Sequence, residues 1–439
     1  MKFRGLLIAA VLLIAAVVTL YFTERKGGKT PVESKPEEKL FSVKSEDIQE
    51  ITVTPQSGER VKLAREGGKW KLVEPRAMAA DDSTVSSMAS ALGGLSVTDT
   101  IDEKPASLKD YGLEPPQATV QFKTKAGAAQ ALLLGQDTPT GSSVYAKTDS
   151  RPRVVTIASY LKSDFTKSLF DLRDKAALKF DTAAASRAWV ENKSGKFELA
   201  KSEDRWQIEA PVQARADQVA ASDLLRNAAD ARMQAIEAEE ASAKEMAKFR
   251  LDKPEVVFRV QDPAGTHELR VSTEKDGKRH AKSSDQAGIF TVSSDLATQL
   301  GKSLADIRNK DVFDMDTWLA SRVEAVTPEA RVALDKQGEQ WKGSDPKKTI
   351  NASDVADMLD KLKAIRASSY PAAAPPATYG LDKPLLKVQA VWGDKKLKES
   401  VEVGQAGDKT YARRQGDPAI YEVPADSVKS AREAINKLK

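Results

Sequence analysis

His267 and His280 are the only imidazoles in the chain, and they fall on strand-like runs that are expected to be neighbours. The rings can pair there. Neither has the Glu-x-x-His or comparable spacing that gathers ligands around a metal. A Ser-His-Asp relay stays geometrically open, but no G-x-S-x-G elbow exists to present a serine. Ser159-Tyr-Leu-Lys162 and Ser272-Thr-Glu-Lys275 match S-x-x-K without the S-D-N or K-T-G partners that such a nucleophile needs. Gly301-Lys302-Ser303 has the ending of a phosphate loop, yet Leu296 stands where the first glycine must let backbone N–H groups cradle a phosphate. Asp314 and Asp316 form an Asp-x-Asp outside any EF-hand loop. Asp81 and Asp82 precede a helical run, where aspartate is first a cap. The pairs Asp171/Arg173 and Asp306/Arg308 recur at unit ends and read as ion pairs or helix-end contacts. The expectation is therefore no catalytic, cofactor-binding or metal residues, no cofactor, and no enzyme.

Composition narrows the chemistry further. The absence of cysteine removes disulfides, zinc–thiolate sites, iron–sulfur clusters, thiol nucleophiles and an acylated-cysteine anchor at once. Lys+Arg 68 against Asp+Glu 64 leaves a net charge of only +4, with the signs interleaved, so no polycationic face for nucleic acid is expected.

The elements that would have to position any site repeat. Trp70 in Lys69–Pro75 returns as Trp206 and as Trp341, with Pro75, Pro211 and Pro346 each five residues later. Around this anchor the order of patterns is constant. Alternating runs at 51–53, 60–65 and 70–73 are joined by hairpin signals, and a helix led by Asp81 follows through Val85, Met88, Leu92 and Leu95. Next come the turn Tyr111-Gly-Leu-Glu-Pro-Pro116, four more alternating runs at 118–123, 130–134, 143–147 and 154–157, and a helical face of Tyr160, Leu161, Phe165 and Leu169. Phe249–Pro254 and Tyr379–Pro384 repeat the turn. Asp217, with Val219, Leu224 and Leu225, and Asp354, with Val355, Leu359, Leu362 and Ile365, repeat the helix, and the chain ends on a helix over 425–438. A period of this size exceeds solenoid repeats, so each copy is a domain.

The fold class expected is α+β: three tandem units, each a mainly antiparallel sheet with two helices packed on one side, at residues 41–177, 178–311 and 312–439. The recurring tryptophans are expected to be core plugs with locally satisfied N–H groups, against the alternative of ligand-stacking platforms. Tyr111, Phe249 and Tyr379, with Leu113, Leu251 and Leu381, are expected to pin their turns to the core.

Gly5–Thr23 is uncharged and apolar, long enough at ~1.5 Å per residue for the ~30 Å hydrocarbon layer, with Tyr21 and Phe22 at one boundary. A cleaved signal is the competing reading. The bulky residues at its end leave no A-x-A-like exit, which favours an uncleaved transmembrane signal anchor over 5–23. Residues 24–40 then form a charged, Gly/Pro-rich tether, and the signal-like start puts the body on the extracytoplasmic side.

These residues together resemble a domain of unknown function found in membrane-anchored bacterial proteins, often encoded beside gliding-motility-type ABC transporters. The resemblance is carried by Trp70…Pro75, the helix led by Asp81, Tyr111-Gly-Leu113-Glu-Pro-Pro116, Leu132-Leu-Leu-Gly135, Tyr145 and Asp171-Leu-Arg173-Asp-Lys175. It is fullest over 41–178 and looser afterwards, with Phe249-Arg250 for Tyr-Gly in the second copy and Gly343-Ser344-Asp345 in the third. The resemblance implies a cell-membrane location and an envelope or ABC-transporter partner, without site residues. The alternative carried beside it is an extracytoplasmic module for a glycan or small ligand, with clefts between units.

Overall fold

The computed structural model describes residues 38–56, 58–345, 348–372 and 374–439. The expected anchor at 5–23, most of the tether and Pro346 lie outside the described residues. Among the described residues no helix is long and apolar enough to cross a membrane. The chain divides into two compact units, residues 1–174 and 175–439, the second holding two of the three sheets.

In the first unit, Lys69–Glu74 alternates exposed and buried positions, turning Trp70 and Leu72 inward. Gly67 and Gly68 both adopt positive φ, the geometry a tight hairpin to Val61–Glu66 requires. The sheet is nine-stranded and every pairing is antiparallel. Its centre is the pair Ile48–Pro55 and Ala118–Thr124. One meander runs outward through Val61–Glu66, Lys69–Glu74 and Met78–Ala79. The other runs through Ala129–Asp137, Ser143–Thr148 and Val154–Ala158, with Asp99–Asp102 closing the far edge. The helix Asp82–Gly94 links one edge strand to the opposite one, so it must cross the face of the sheet. It does so with Val85, Met88 and Leu92 buried, and Asp81 caps it by accepting from the Thr84 N–H at 3.0 Å.

The segment before the sheet departs from the expected tether. Glu38–Leu40 belongs to the first module: the Leu40 N–H donates to the Leu95 carbonyl at 2.7 Å and its side chain is buried in the core. One leucine with a large apolar surface to meet is enough to dock the end of a polar segment.

The second sheet repeats this order around Arg187–Asn192 and Val256–Asp262, with Gln218–Ala229 crossing its face. Val219, placed on the core side of that helix by its spacing, is exposed instead, as is Tyr160 in the first unit. The third sheet, centred on Ala320–Val326 and Leu386–Trp392, has seven strands. The first two carry a short strand at each edge; among the described residues the third has neither, and the place of the closing strand is taken by the bridge Ser369↔Glu422. Pro371 stands two residues further on, and proline donates no ladder hydrogen bond.

Among the described residues, the second of the two helices expected on each sheet is one continuous element only in the third copy, as Ala425–Lys437 beside Ala352–Lys363. In the others the second helix is broken into Lys162–Phe165 and Leu169–Leu172, and into Leu296–Leu300 and Leu304–Ile307. The break is a capping event. Ser168 and Ser303 each start a new turn by a reciprocal box with Asp171 and Asp306.

Candidate functional site

The structure scatters the residues most able to do chemistry. His267 and His280 lie on adjacent strands but at different rungs, each with its own partners. Asp262 and Asp285 flank His267, 3.3 Å from Nε2 and 3.0 Å from Nδ1. Burial alone would lower the His267 pKa, but hydrogen bonds and charge from Asp285 and Asp262 prevail and raise it above the ordinary value. Asp262 is held below the carboxylate range, first by the Asp181 N–H and also by those of Ala264 and Gly265, against some burial. The Lys179 N–H binds Asp285 at 2.7 Å, so the cluster fastens the segment entering the second sheet.

His280 is buried against Phe249, ring centroids 4.5 Å apart, and burial lowers its pKa. Tyr111 meets Tyr145 and Tyr379 meets Tyr411 in the same way, so His280 is the second copy's version of a recurring ring pair. The pinning loops therefore cover the sheet face opposite the long helices, in small separate cores such as Phe249–Leu251–Ile289 and Tyr379–Leu381–Ile420. Gly135 and Gly404 permit that approach: a Cβ would stand 2.2 Å from the Tyr111 carbonyl and 2.3 Å from the Gly380 carbonyl.

The remaining candidates are occupied by local structure. Lys162 pairs with Asp137. The Ser272 hydroxyl donates to the Thr273 carbonyl and accepts from the His280 N–H. Ser303 caps a helical turn, and a Cβ on Gly301 would meet the Ala297 carbonyl at 2.5 Å. Asp316 accepts from the Trp318 N–H. No group of three or more His, Asp or Glu side chains among the described residues is arranged to hold a metal. Trp70, Trp206 and Trp341 are buried, as expected of core plugs. The local N–H partner is not found for Trp70, whose Nε1 has no acceptor among the described residues; the Arg65 guanidinium lies 4.9 Å from its ring. Its backbone is held instead. The Trp70 N–H donates to Asp82 at 2.7 Å and the Trp206 N–H to Gln218 at 2.8 Å, tying hairpin to helix start.

Two arrangements were not evident in the sequence. The first joins the second and third copies through Arg215, which Ala79 replaces in the first copy. Its guanidinium donates to the Asp311 carbonyl and lies 3.3 Å from Asp314, 3.4 Å from Asp417 and 3.3 Å from the Tyr421 hydroxyl. Arg414 adds ion pairs to Asp314 at 3.6 Å and to Glu399 at 3.4 Å, and Glu399 accepts from the Asp314 and Met315 N–H groups. Burial is the main reason that the Tyr421 hydroxyl is pushed up to about 12. Beside it, Arg308 stacks 3.7 Å from the Tyr370 ring.

The second is a trough on the open face of the third sheet. Glu324, Gln389 and Ser400 are register partners across three strands. The Gln415 N–H continues the row by donating to the Ser400 carbonyl. A cavity of about 650 Å³ and one of about 450 Å³ share Gln389, Ser400 and Gln415 as floor. Ion pairs wall it: Arg322 with Asp335 and Glu324 on one side, Glu402 with Lys387 and Arg413 on the other. Burial works to raise the Glu402 pKa, but its bonds to Arg413 and Lys387 hold it below the ordinary carboxylate range. The differences between copies were the available signal for both arrangements.

The described residues form a tandem array of antiparallel α+β modules, with many polar side chains held in caps, ladders and a junction. The chain belongs to the family of the domain of unknown function DUF4340, whose model matches residues 70–209, 206–384 and 350–437. Each matched segment begins inside a module. No curated protein and no solved structure matches the chain.

Proposed function

We propose that the chain is a non-catalytic scaffold or accessory protein, anchored in the cell membrane through residues 5–23, with its modules on the extracytoplasmic side binding an envelope or ABC-transporter component. One observation carries this reading: the second and third modules are joined by a half-buried ionic network, and each leaves part of a sheet face open with charged ladders. A rigid platform with polar faces suits protein recognition, where charge sets register and partner choice. In-cell crosslinking and purification of the full chain is expected to recover an envelope or transporter protein absent from a control carrying residues 1–40 alone. Recovery of nothing beyond that control refutes the reading. A reporter fused after Lys439 that is active only in the cytoplasm refutes the topology.

A further inference from the structure

We propose that the trough on the third sheet binds a small, hydroxyl-rich anion, a sugar acid or sugar phosphate, through Lys396 and Lys398. The inference does not depend on the scaffold reading.

The trough is distinguished by what lines its floor. At the matching rungs of the second sheet the row is Trp189, Arg259 and Glu268, with Arg259 and Glu268 paired at 2.5 Å, and the cavity of about 760 Å³ on that sheet is lined by Arg259 and Arg270, both committed to Glu268. In the third sheet Gln389 and Ser400 occupy the two inner positions, and a cavity of about 650 Å³ opens over them. That volume lies in the range of about 300–1,000 Å³ usual for small-ligand sites. The floor presents two carboxamides and a hydroxyl, groups that both donate and accept and so match sugar hydroxyls rather than an apolar ligand.

The charge argument is one of pairing. Arg322, Lys387, Arg413 and Arg414 around the trough each have a carboxylate partner. Lys396 and Lys398 line the same cavity, are exposed, and have no side-chain partner among the described residues. Lys396 is held at φ +50, a conformation that favours glycine, so the turn itself gives no reason for lysine. Two uncommitted ammonium groups at the lip of a polar trough fit a carboxylate or phosphate.

The test is calorimetric titration of the full chain in detergent with glucuronate, glucose 6-phosphate, glucose and inorganic phosphate. At least one sugar anion is expected to bind, and glucose and inorganic phosphate to bind at least about tenfold more weakly, the loss of one charge-assisted or several neutral hydrogen bonds. The double variant Lys396→Ala/Lys398→Ala is expected to weaken the anion at least about tenfold. Lys395→Ala, an exposed lysine outside the lining, is expected to leave it unchanged. Ser400→Tyr is expected to abolish binding by filling the floor. No binding by either sugar anion overturns the proposal. So does equal binding of glucose or inorganic phosphate, or a double variant that binds like the unsubstituted chain.

Discussion

Removing Arg215 tests whether the second and third modules form one body. The substitution Arg215→Ala leaves Asp417, with its side chain 6% exposed, without a cation, while Asp314 keeps Arg205 of the second module at 3.8 Å. Breaking a buried pair by deleting one partner costs about 3–5 kcal/mol, because the other charge stays desolvated and unmatched. The Arg215 side chain keeps 17% exposure and Arg414 still reaches Asp314 at 3.6 Å, which places the expected cost at the lower end, about 3 kcal/mol. The amides to read are those of Asp314 and Met315, both donated to Glu399 in the same network. At 1.4 kcal/mol per factor of ten, their hydrogen exchange is expected to quicken by about a hundredfold. Exchange in the first unit is expected to stay unchanged. Arg187→Ala serves as the reference: its pair with Glu198 at 2.9 Å is on an open face, with Arg187 47% exposed, and surface pairs contribute about 0–1 kcal/mol. The double substitution Arg215→Ala/Asp417→Asn is expected to cost less than the sum of its parts, since neutralising Asp417 relieves part of the unmatched charge. An Arg215→Ala effect no larger than that of Arg187→Ala, or additivity in the double variant, refutes the locked junction.

Three further outcomes follow from the geometry. His267 has a folded pKa above 6.5, so its two-aspartate contact contributes stability that is full below the unfolded value and is lost as pH rises through the folded one; urea midpoints taken from about pH 5 to pH 9 are expected to show that loss, and His267→Gln to flatten it. Gln218→Ala removes partners from both the N–H and the carbonyl of Trp206 and is expected to cost about 1–3 kcal/mol in urea unfolding followed by tryptophan fluorescence. Gly404→Ala puts a methyl group against the Gly380 carbonyl and is expected to lower stability by about 1–3 kcal/mol, seen as a lower melting temperature, whereas Gly94→Ala, where a Cβ meets nothing within 4 Å, is expected to be neutral or stabilising.

Local patterns were legible wherever the answer depended on nearest neighbours. Trp70 and Leu72 alternate with exposed positions, so their strand and its inward face could be read directly. Asp81 and Asp217 announced the helices they cap. The return of the same pattern at Trp206 and Trp341 established three copies. Signals failed where two local preferences competed. The helical face from Tyr160 to Leu169 was continuous in spacing, yet the Ser168–Asp171 box restarted the helix, and Tyr160, in the 3-10 turn Ser159–Leu161, is exposed.

Copy number, strand type, the inward faces of the strands, capping and the lack of cysteine chemistry were determined by the sequence alone, because each is read from residue identity along the chain and needs no contact between distant segments. Tertiary structure decided that Ile48–Pro55 pairs with Ala118–Thr124 at the centre of a sheet, that His267 and His280 serve different ends, and that Arg215 meets Asp417 across 202 residues. It also decided that Glu324, Gln389 and Ser400 form one row. Contacts of that separation are selected by how whole strands pack and pair, and side chains become neighbours only after the sheet has brought their strands together.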